Sequence, residues 1–528
     1  MSLSRIILSL IALLLLFAIF CSVDIGMSWD EPQRHWQGAI RADYLKSFSF
    51  GKFEFKPGGW SEIEPGLYDT FSFFISDLLL KIFPGKLLGI KHFTNLIFSC
   101  LTLIGLFLIS KKIFNKKIAY LATLLCLLNP FFFGHMAINP VDTIISFALV
   151  WFAYSTYMYC INFEKGRLPF LILAAFFMGF GAGTRLPFLS VPIPIIISAL
   201  IFIIITNNTK FREYQIYKKI FFDFLIFFLI TFFIMTLAWP YVHTSPHILL
   251  DALNPLNSFK YPYGPVLEII NGSYFELLNT PRTYFFSFFI FRFPIYCLLL
   301  LFVLIIILKT DSKFFTSKFD HFKNKIIIIF SIVLFPILLH LILQVKIYNG
   351  IRLFLFIIPF FSLLTAVCFY YILENFKKSI YMKSLASIIA IFFLLFLQRF
   401  IALTPYHYDY SNFFNIKFAN TEKLYIHDYW TTSYKELMKL IKQNDSLQNI
   451  KADYCGGDRF GLRYLANKYS GKKVTFVPYE QADYVIMIDS VSNDVNNKSS
   501  CFIQRPGKDI VAVSRLGVKL SVLRKLEK

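Results

Sequence analysis

The chain has 528 residues, of which 56% are hydrophobic and only 16% are charged, and phenylalanine alone occurs 65 times. Soluble globular domains are about 45–50% apolar and about 25% charged, so this composition excludes an ordinary soluble protein. The net charge of +21 would suit nucleic-acid binding, but the lysines lie in short loops between apolar blocks. That distribution is typical of membrane proteins, and we therefore exclude nucleic acid as a partner.

Apolar blocks recur along the chain at the length of about 17–25 residues that crosses a ~30 Å hydrocarbon core. The first block follows Arg5 and lacks a small-residue cleavage site, so we interpret it as an uncleaved span and not as a signal peptide. We predict a polytopic α-helical membrane protein with about 11 transmembrane helices. They lie near residues 5–23, 92–110, 118–134, 142–162, 168–184, 188–206, 221–238, 288–308, 326–344, 354–373 and 384–401.

Short basic loops all fall on one side of this predicted bundle. They are residues 111–117, 164–167, 210–219, 309–325 and 377–383. Because cytoplasmic loops carry the excess of lysine and arginine, we expect these loops and the N-terminus in the cytoplasm. The first outer loop, 24–91, and the tail from residue 402 then face outward, as do the loops around 135–141, at 239–287 and at 344–353.

The tail differs in character from the rest of the chain. "TTSYKELMKLIKQND" predicts an amphipathic helix with a Thr/Ser cap, and "KVTFVP" and "ADYVIMID" predict strands. We therefore divide the chain into a transmembrane domain, 1–401, and a small C-terminal α/β domain, 402–528, outside the cytoplasm. Cys455 and Cys501 lie in this tail and can form a disulfide if it is extracytoplasmic.

Charged and polar residues cluster where predicted spans emerge on the outer side. "WDEP" follows the first span and carries Asp30 and Glu31; the others are Asp69, the group His135, Asn139 and Asp142, and the arginines Arg185 and Arg352. Ionisable groups at membrane depth are expensive and usually functional. Arginine binds phosphate in bidentate fashion, and a carboxylate accepts a proton from an attacking hydroxyl. A polyprenyl-phosphate sugar donor, with its lipid tail between the spans, needs both groups.

The chain resembles the GT-C class of membrane glycosyltransferases, in the branch of protein O-mannosyltransferases and aminoarabinose transferases. "WDEP" is similar to the acidic motif in the first outer loop of that class. "GHMAINPVDTIISFA", "GAGTRLP", "YNGIRLFLFIIP", "TPYHYDYSNFF" and "HDYWTTSYKEL" are similar, in the same order, to stretches of a bacterial mannosyltransferase-like subgroup. The resemblance implies GT-C-like architecture and a multi-pass protein of the bacterial inner (plasma) membrane, with a periplasmic tail.

The chain departs from the subgroup at four positions. Val141 stands in place of its lysine, Thr404 and Leu353 in place of histidines, and Asn349 in place of an aspartate. The departure at Val141 removes one cation that would bind phosphate.

The resemblance implies an inverting transfer from a polyprenyl-phosphate sugar to an acceptor hydroxyl, with Asp30 as general base. Glu31 would orient the acceptor or hold a structural contact, and Arg185 and Arg352 would neutralise the leaving phosphate. His135, Asn139 and Asp142 would contact the sugar or a divalent metal, the one cofactor considered. Asp69, Asp428, Tyr429 and Trp430 would contact the acceptor or the sugar.

Structural explanations remain open beside each role. "WDEP" also fits a helix start with solvated charges, Asp142 fits a helix cap, Arg185 fits an interfacial side chain, and residues 428–430 fit a core cluster. Two other classes also stay open: a lipid-linked-sugar transporter or flippase, and a non-catalytic membrane scaffold. A groove that gathers Asp30, Asp142, Arg185 and Arg352 favours the enzyme.

Overall fold

Long apolar helices make up most of the first 402 residues of the computed structural model, and an α/β region follows. The structure describes residues 3–49, 64–206, 214–247, 249–250, 267–276, 279–343, 347–412, 424–490 and 499–527. The first helices are α1 (Leu3–Asp24), α2 (Glu31–Ser49), α3 (Leu67–Ile82), α4 (Leu87–Ile113), α5 (Lys116–Leu127), α6 (Pro130–His135), α7 (Asp142–Ile161), α8 (Leu168–Thr184), α9 (Ile193–Thr206), α10 (Tyr214–Thr236) and α11 (Pro240–Thr244). A hairpin of β1 (Leu267–Ile270) and β2 (Ser273–Glu276) precedes α12 (Tyr284–Arg292), α13 (Ile295–Thr310), α14 (Ser312–Thr316), α15 (Phe322–Leu343), α16 (Ile358–Asn375) and α17 (Ile380–Ala402).

Eight helices in the described part of the chain are long and apolar enough to span a membrane, or up to nine if one bent pair is a single span. This confirms a multi-pass helical membrane protein but not the predicted count of eleven. The segment 118–134 is broken, because Asn129 caps the amides of Phe131 and Phe132 and Pro130 starts a new helix. The segment near 288–308 bends by 110° between α12 and α13, and α8 has only 17 residues.

Two helices lie in the predicted first outer loop. Helix α2 begins at Glu31 with Pro32 in its first turn, as the helix-start interpretation of "WDEP" predicted. Helix α3 was not predicted, because its 16 residues are too few for a span and its loop was treated as polar. Its Asp69 is buried, and residues 50–63 between the two helices lie outside the described residues.

The tail folds around a five-stranded sheet in the order β4-β3-β5-β7-β6. Its elements are α18 (Tyr434–Gln443), β3 (Asn449–Cys455), α19 (Arg459–Leu465), β4 (Lys473–Phe476), β5 (Tyr484–Ile488), α20 (Cys501–Gln504), β6 (Gly507–Arg515) and β7 (Val518–Leu526). Strand β3 runs parallel to β4 and β5, whereas β7 runs antiparallel to β5 and β6. The predicted strands "KVTFVP" and "ADYVIMID" are confirmed as β4 and β5.

Two finer predictions for the tail have different outcomes. The predicted amphipathic helix is α18, but Ser433 at its N-cap makes no side-chain cap; its hydroxyl donates to Asp428 instead. The predicted disulfide between Cys455 and Cys501 is present and links the end of β3 to α20.

The tail packs directly on the ends of the membrane helices. Lys435 Nζ donates to the carbonyl oxygens of Val23, at 2.6 Å, and Ile25, at 3.2 Å. Lys439, which lies on the same helix α18, pairs with Asp24 at 2.9 Å. These contacts satisfy carbonyls at the C-terminal end of α1, which an isolated helix would leave without partners.

Candidate active site

Asp30 lies at the start of α2, where its carbonyl oxygen accepts the Arg34 amide at 2.9 Å. Its Oδ2 lies 3.5 Å from Nη1 of Arg352, although 322 residues separate the two in sequence. The Asp30 side chain is 33% exposed, whereas that of Arg352 is only 6% exposed. A partly exposed carboxylate therefore lies against a buried guanidinium.

Arg352 begins a 3₁₀ turn, Arg352–Ile357, that leads into α16. Its guanidinium lies 4.4 Å from the ring centroid of Trp430 and 4.6 Å from that of Tyr348. Its Nε is buried and has no hydrogen-bond partner among the described residues. Buried N–H groups are almost always paired, so this donor is available to an acceptor, as are the Nε atoms of Arg41 and Arg399.

Asp142 and Arg185 form a second ion pair, with Nη1 3.0 Å from Oδ1. Asn139 fixes the carboxylate: its Nδ2 donates to Asp142 Oδ2 at 2.9 Å, and its Oδ1 accepts the amides of Val141 and Asp142. Asn139, and not Asp142, thus performs the capping function suggested for Asp142. Arg185 directly follows α8, and its guanidinium pairs with the Asp142 carboxylate. This contact differs from the alternative, in which Arg185 is an interfacial side chain.

The two ion pairs and the tail share a network. Arg352 lies within electrostatic range of Asp142. The Ser28 hydroxyl donates to the carbonyl of Ile138 at 3.0 Å, which joins the "WDEP" loop to the segment around Asn139. The Trp29 amide donates to the carbonyl of Trp430 at 3.0 Å. The structure therefore brings together Asp30, Asp142, Arg185 and Arg352, with Trp430 as their aromatic wall.

Glu31 has a different role from Asp30. Its Oε2 accepts the amide of Ser28 at 2.6 Å, and its Oε1 lies 3.2 Å from Nε2 of His92 on α4. The side chain is buried, so it does not reach an acceptor. Of the two roles suggested for Glu31, the contacts fit the structural one: it stabilises the start of α2.

Asp69 belongs to an ionic network between α2 and α3. Arg34 Nη1 lies 2.6 Å from Glu64 and 3.1 Å from Asp69, and Arg41 lies 3.9 Å from Asp69. Burial alone would raise the pKa of Glu64, but Arg34 and Arg185 outweigh it and lower that pKa. These contacts argue against Asp69 as an acceptor-binding group, and they place Glu64 beside Arg185, which sequence reasoning did not anticipate.

His135 and Tyr429 bind each other, with Nε2 3.0 Å from the phenol oxygen. The other ring nitrogen of His135 lies 2.6 Å from the carbonyl of Phe131. Burial lowers the pKa of His135 to about 4, which keeps the imidazole neutral. Both ring nitrogens are thus engaged, so His135 and Tyr429 are poorly placed to bind a metal or a sugar.

No group of three or more His, Cys, Asp or Glu side chains suited to a metal occurs within the ranges that the structure describes. Asn139 and Asp142, the other residues considered as metal ligands, bind each other, and Asp142 is also engaged by Arg185. The residues around Asp142 therefore fit an ion-pair network better than a divalent-metal site.

Asp428 is buried and turned inward. It accepts the amides of Thr432 and Ser433 at 3.0 Å each, and the hydroxyls of Tyr408 and Ser433. Burial raises the pKa of Asp428 to about 7, and these donors oppose the rise. The prediction of a sugar contact does not fit this geometry; Asp428 shapes the loop that presents Trp430.

A buried triad that the sequence did not reveal supports the same loop. Asp409 lies 2.7 Å from Nη2 of Arg292 and 2.8 Å from Nδ1 of His427. Burial would raise the pKa of Asp409, but His427 and Arg292 outweigh it and lower that pKa. The triad joins the end of α12, the segment after α17 and the loop before Trp430. Two of its members, Asp409 and His427, lie in the polar stretches "HYDY" and "HDYW" of the sequence.

A family model matches the part of the chain that carries Asp142 and Arg185. Residues 70–239 match the family model for dolichyl-phosphate-mannose-protein mannosyltransferase. The predicted resemblance to protein O-mannosyltransferases is thus confirmed over a segment that contains Asp142 and Arg185. Among curated proteins, none matches the sequence.

Solved structures with a similar course of the chain include ArnT from Cupriavidus metallidurans bound to undecaprenyl phosphate, at 10% identity and a TM-score of 0.48, covering 99% of this chain and 98% of that one. Another is the archaeal oligosaccharyltransferase AglB from Archaeoglobus fulgidus in complex with an inhibitory peptide and a dolichol-phosphate, at 10% identity and a TM-score of 0.41, covering 92% and 70%.

Proposed function

We propose that this chain is an inverting glycosyltransferase, which transfers a sugar from a polyprenyl-phosphate donor to an acceptor hydroxyl at the outer face of the bacterial inner membrane. The observation that carries the proposal is the pair of Asp30 and Arg352. It combines an accessible carboxylate with a buried guanidinium that has a spare N–H. The family match over residues 70–239 supports the same chemistry.

The donor phosphate would bind between the two arginines. The guanidinium of Arg352 lies over the Trp430 ring, and this contact would limit its movement before the ligand arrives. Arg185, at 18% side-chain exposure, can turn one nitrogen toward the phosphate while Asp142 holds another. Two guanidinium groups stabilise the charge that develops on the phosphate as the glycosidic bond breaks.

Asp30 would act as the general base. Its carboxylate removes the proton of the acceptor hydroxyl while the acceptor oxygen forms a bond to the anomeric carbon. The bond between that carbon and the phosphate oxygen breaks, and the polyprenyl phosphate leaves with the electron pair. Attack opposite to the leaving group inverts the anomeric configuration. A phosphate at Arg352 would also draw its Nη1 away from Asp30, leaving that carboxylate free to accept the proton.

The proposed topology has eleven crossings, a cytoplasmic N-terminus, a transmembrane domain at 1–401 and a periplasmic domain at 402–528. The basic loops on one side support this orientation. The disulfide between Cys455 and Cys501 supports it as well, because disulfides persist in oxidising compartments such as the periplasm.

The function is tested by incubating the purified full-length protein with defined polyprenyl-phosphate sugars as donors and a mixture of membrane lipids and glycans as acceptors. We expect release of the free polyprenyl phosphate with at least one sugar, and transfer of that sugar to an acceptor. If the protein moves the intact donor across vesicles without cleaving it, the chain is a transporter. If it neither binds nor cleaves any donor, a scaffold role replaces the enzyme.

A further inference from the structure

The turn before Arg352 has an unusual backbone. Asn349 has φ of 55° and Gly350 has φ of 71°, so two consecutive residues are left-handed. Non-glycine residues seldom adopt this conformation, and asparagine is among the few that tolerate it. Such a turn persists only where its surroundings fix it. The tertiary contacts of the two residues therefore decide how Arg352 is presented.

Both amides of the turn are bound by one buried pair of side chains. Glu268 Oε2 accepts the Asn349 amide at 3.0 Å, and the Tyr284 hydroxyl accepts the Gly350 amide at 2.8 Å. The Tyr284 hydroxyl donates in turn to Glu268 Oε1 at 3.2 Å. Glu268 is 1% exposed and Tyr284 is fully buried. The carboxylate thus holds one amide directly and the next one through the phenol.

The two side chains come from separate elements that converge on the turn. Glu268 lies on β1 opposite Phe275 of β2. Tyr284 begins α12, and its ring packs 4.6 Å from that of Phe288. Glu268 also lies within electrostatic range of Arg352. None of the motifs that resemble the subgroup includes either residue.

We propose that Glu268 is a positioning residue for Arg352: it fixes the turn at residues 349–350 from which the guanidinium reaches the site. The inference rests on the proposed function, in which Arg352 binds the donor phosphate. A buried carboxylate is costly to maintain, and an apolar side chain on β1 would avoid that cost. The paired amides of the turn explain why an acidic side chain stands there.

Hydrogen exchange on the full-length protein tests the contact without any ligand. The amides of residues 349–350 should exchange about tenfold faster or more in Glu268→Ala and in Tyr284→Phe. Glu268→Ala removes the acceptor of the Asn349 amide, and Tyr284→Phe removes the acceptor of the Gly350 amide. Tyr425→Phe is the matched control: it removes a hydrogen bond of 2.6 Å to Asn271 in the same hairpin and does not touch the turn. Unchanged exchange in both Glu268→Ala and Tyr284→Phe would overturn the contact.

Binding of undecaprenyl phosphate by the same proteins tests the positioning role. We expect Arg352→Ala to weaken binding about 10–100-fold, since it removes charge-assisted hydrogen bonds, and Glu268→Ala to weaken it about tenfold. The double variant should bind no more weakly than Arg352→Ala alone, because Glu268 acts through the guanidinium. Glu268→Gln keeps an acceptor for the Asn349 amide and should recover part of the affinity.

The outcomes separate the two proposals. If Arg352→Ala loses binding while Glu268→Ala binds like the wild type, the positioning role is wrong and the proposed function stands. If the losses from Glu268→Ala and Arg352→Ala are additive, Glu268 acts elsewhere and the inference also fails. If the wild type binds no undecaprenyl phosphate at all, the proposed function fails, and the positioning role fails with it even when the exchange result is positive.

Discussion

Replacing Asp30 with asparagine separates catalysis from stability. The carboxylate is 33% exposed and lies 3.5 Å from Arg352, so the ion pair is long and partly solvated. Pairs of this kind contribute about 0–1 kcal/mol to stability. Asp30→Asn should therefore leave folding nearly unchanged. It should lower turnover by roughly 10²–10⁴, the usual range for a lost general base, which corresponds to about 3–5 kcal/mol in the activation barrier.

Asp24→Asn is the matched control, because Asp24 is a nearby acidic residue with an ion pair of its own. Its partner is Lys439 at 2.9 Å, and both side chains are more than 40% exposed. Losing this pair costs about 0.2–1 kcal/mol of stability and leaves the site intact. We expect turnover within about twofold of the wild type, since no group near the reacting atoms changes.

The assay measures release of polyprenyl phosphate by full-length protein at saturating donor, alongside donor affinity and the melting temperature. Asp30→Asn should bind the donor at least as well as the wild type, because Arg352 loses a competing anion. If the two substitutions lower turnover equally, or if Asp30→Asn keeps near-full turnover, "WDEP" is only a helix start at the membrane edge and the base lies elsewhere.

Four further predictions address binding, stability and orientation. Arg352→Lys keeps the charge but loses the planar fork, so the Kd for undecaprenyl phosphate should rise about tenfold; equal affinity in Arg352→Lys and Arg352→Ala would remove this residue from the site. Burial lowers the pKa of His407 to about 3, below its value of about 6.5 in the unfolded chain, so stability is lost as the pH falls below about 6.5. At pH 5 the loss in the free energy of unfolding is about 2 kcal/mol. His407→Phe should therefore raise the melting temperature at pH 5 relative to its effect at pH 8. The same effect at both pH values would refute the burial argument. Cys455→Ser should destabilise the tail by about 2–4 kcal/mol, seen as a lower melting temperature that reductant no longer changes. A reporter fused after Lys528 should be active only in the periplasm, and cytoplasmic activity would overturn the proposed orientation.

Sequence patterns predicted the elements that depend on local chemistry. Apolar length predicted the long helices, Pro32 marked the start of α2, and short apolar runs predicted β4 and β5. The pattern failed where a short polar signal interrupts an apolar block, as at Asn129, whose side chain ends α5 by capping α6. Period and length cannot distinguish such a break from a continuous span.

The site shows the same division. Asp30, Asp142, Arg185 and Arg352 were predicted because each carries a charge beside a span end, and the structure brings them together. Asp428, His135 and Tyr429 are also polar or ionisable, but they are buried and bind other protein groups. Which polar side chains lie near the Asp30–Arg352 and Asp142–Arg185 pairs depends on packing between distant segments, and a single sequence does not contain that information in local form.

The Asp30–Arg352 pair can form only late in synthesis of the chain. The two residues are 322 positions apart, so at a synthesis rate of about 5–20 residues per second the arginine emerges roughly 15–65 s after the aspartate. During that interval the start of α2 can contact only residues made earlier, for example through the pair between its own Glu31 and His92. The Lys435 contacts that complete the end of α1 arrive later still, from 412 residues away. A chain that ends before Arg352 therefore lacks the Asp30–Arg352 pair, and it also lacks the Lys435 donor at the end of α1.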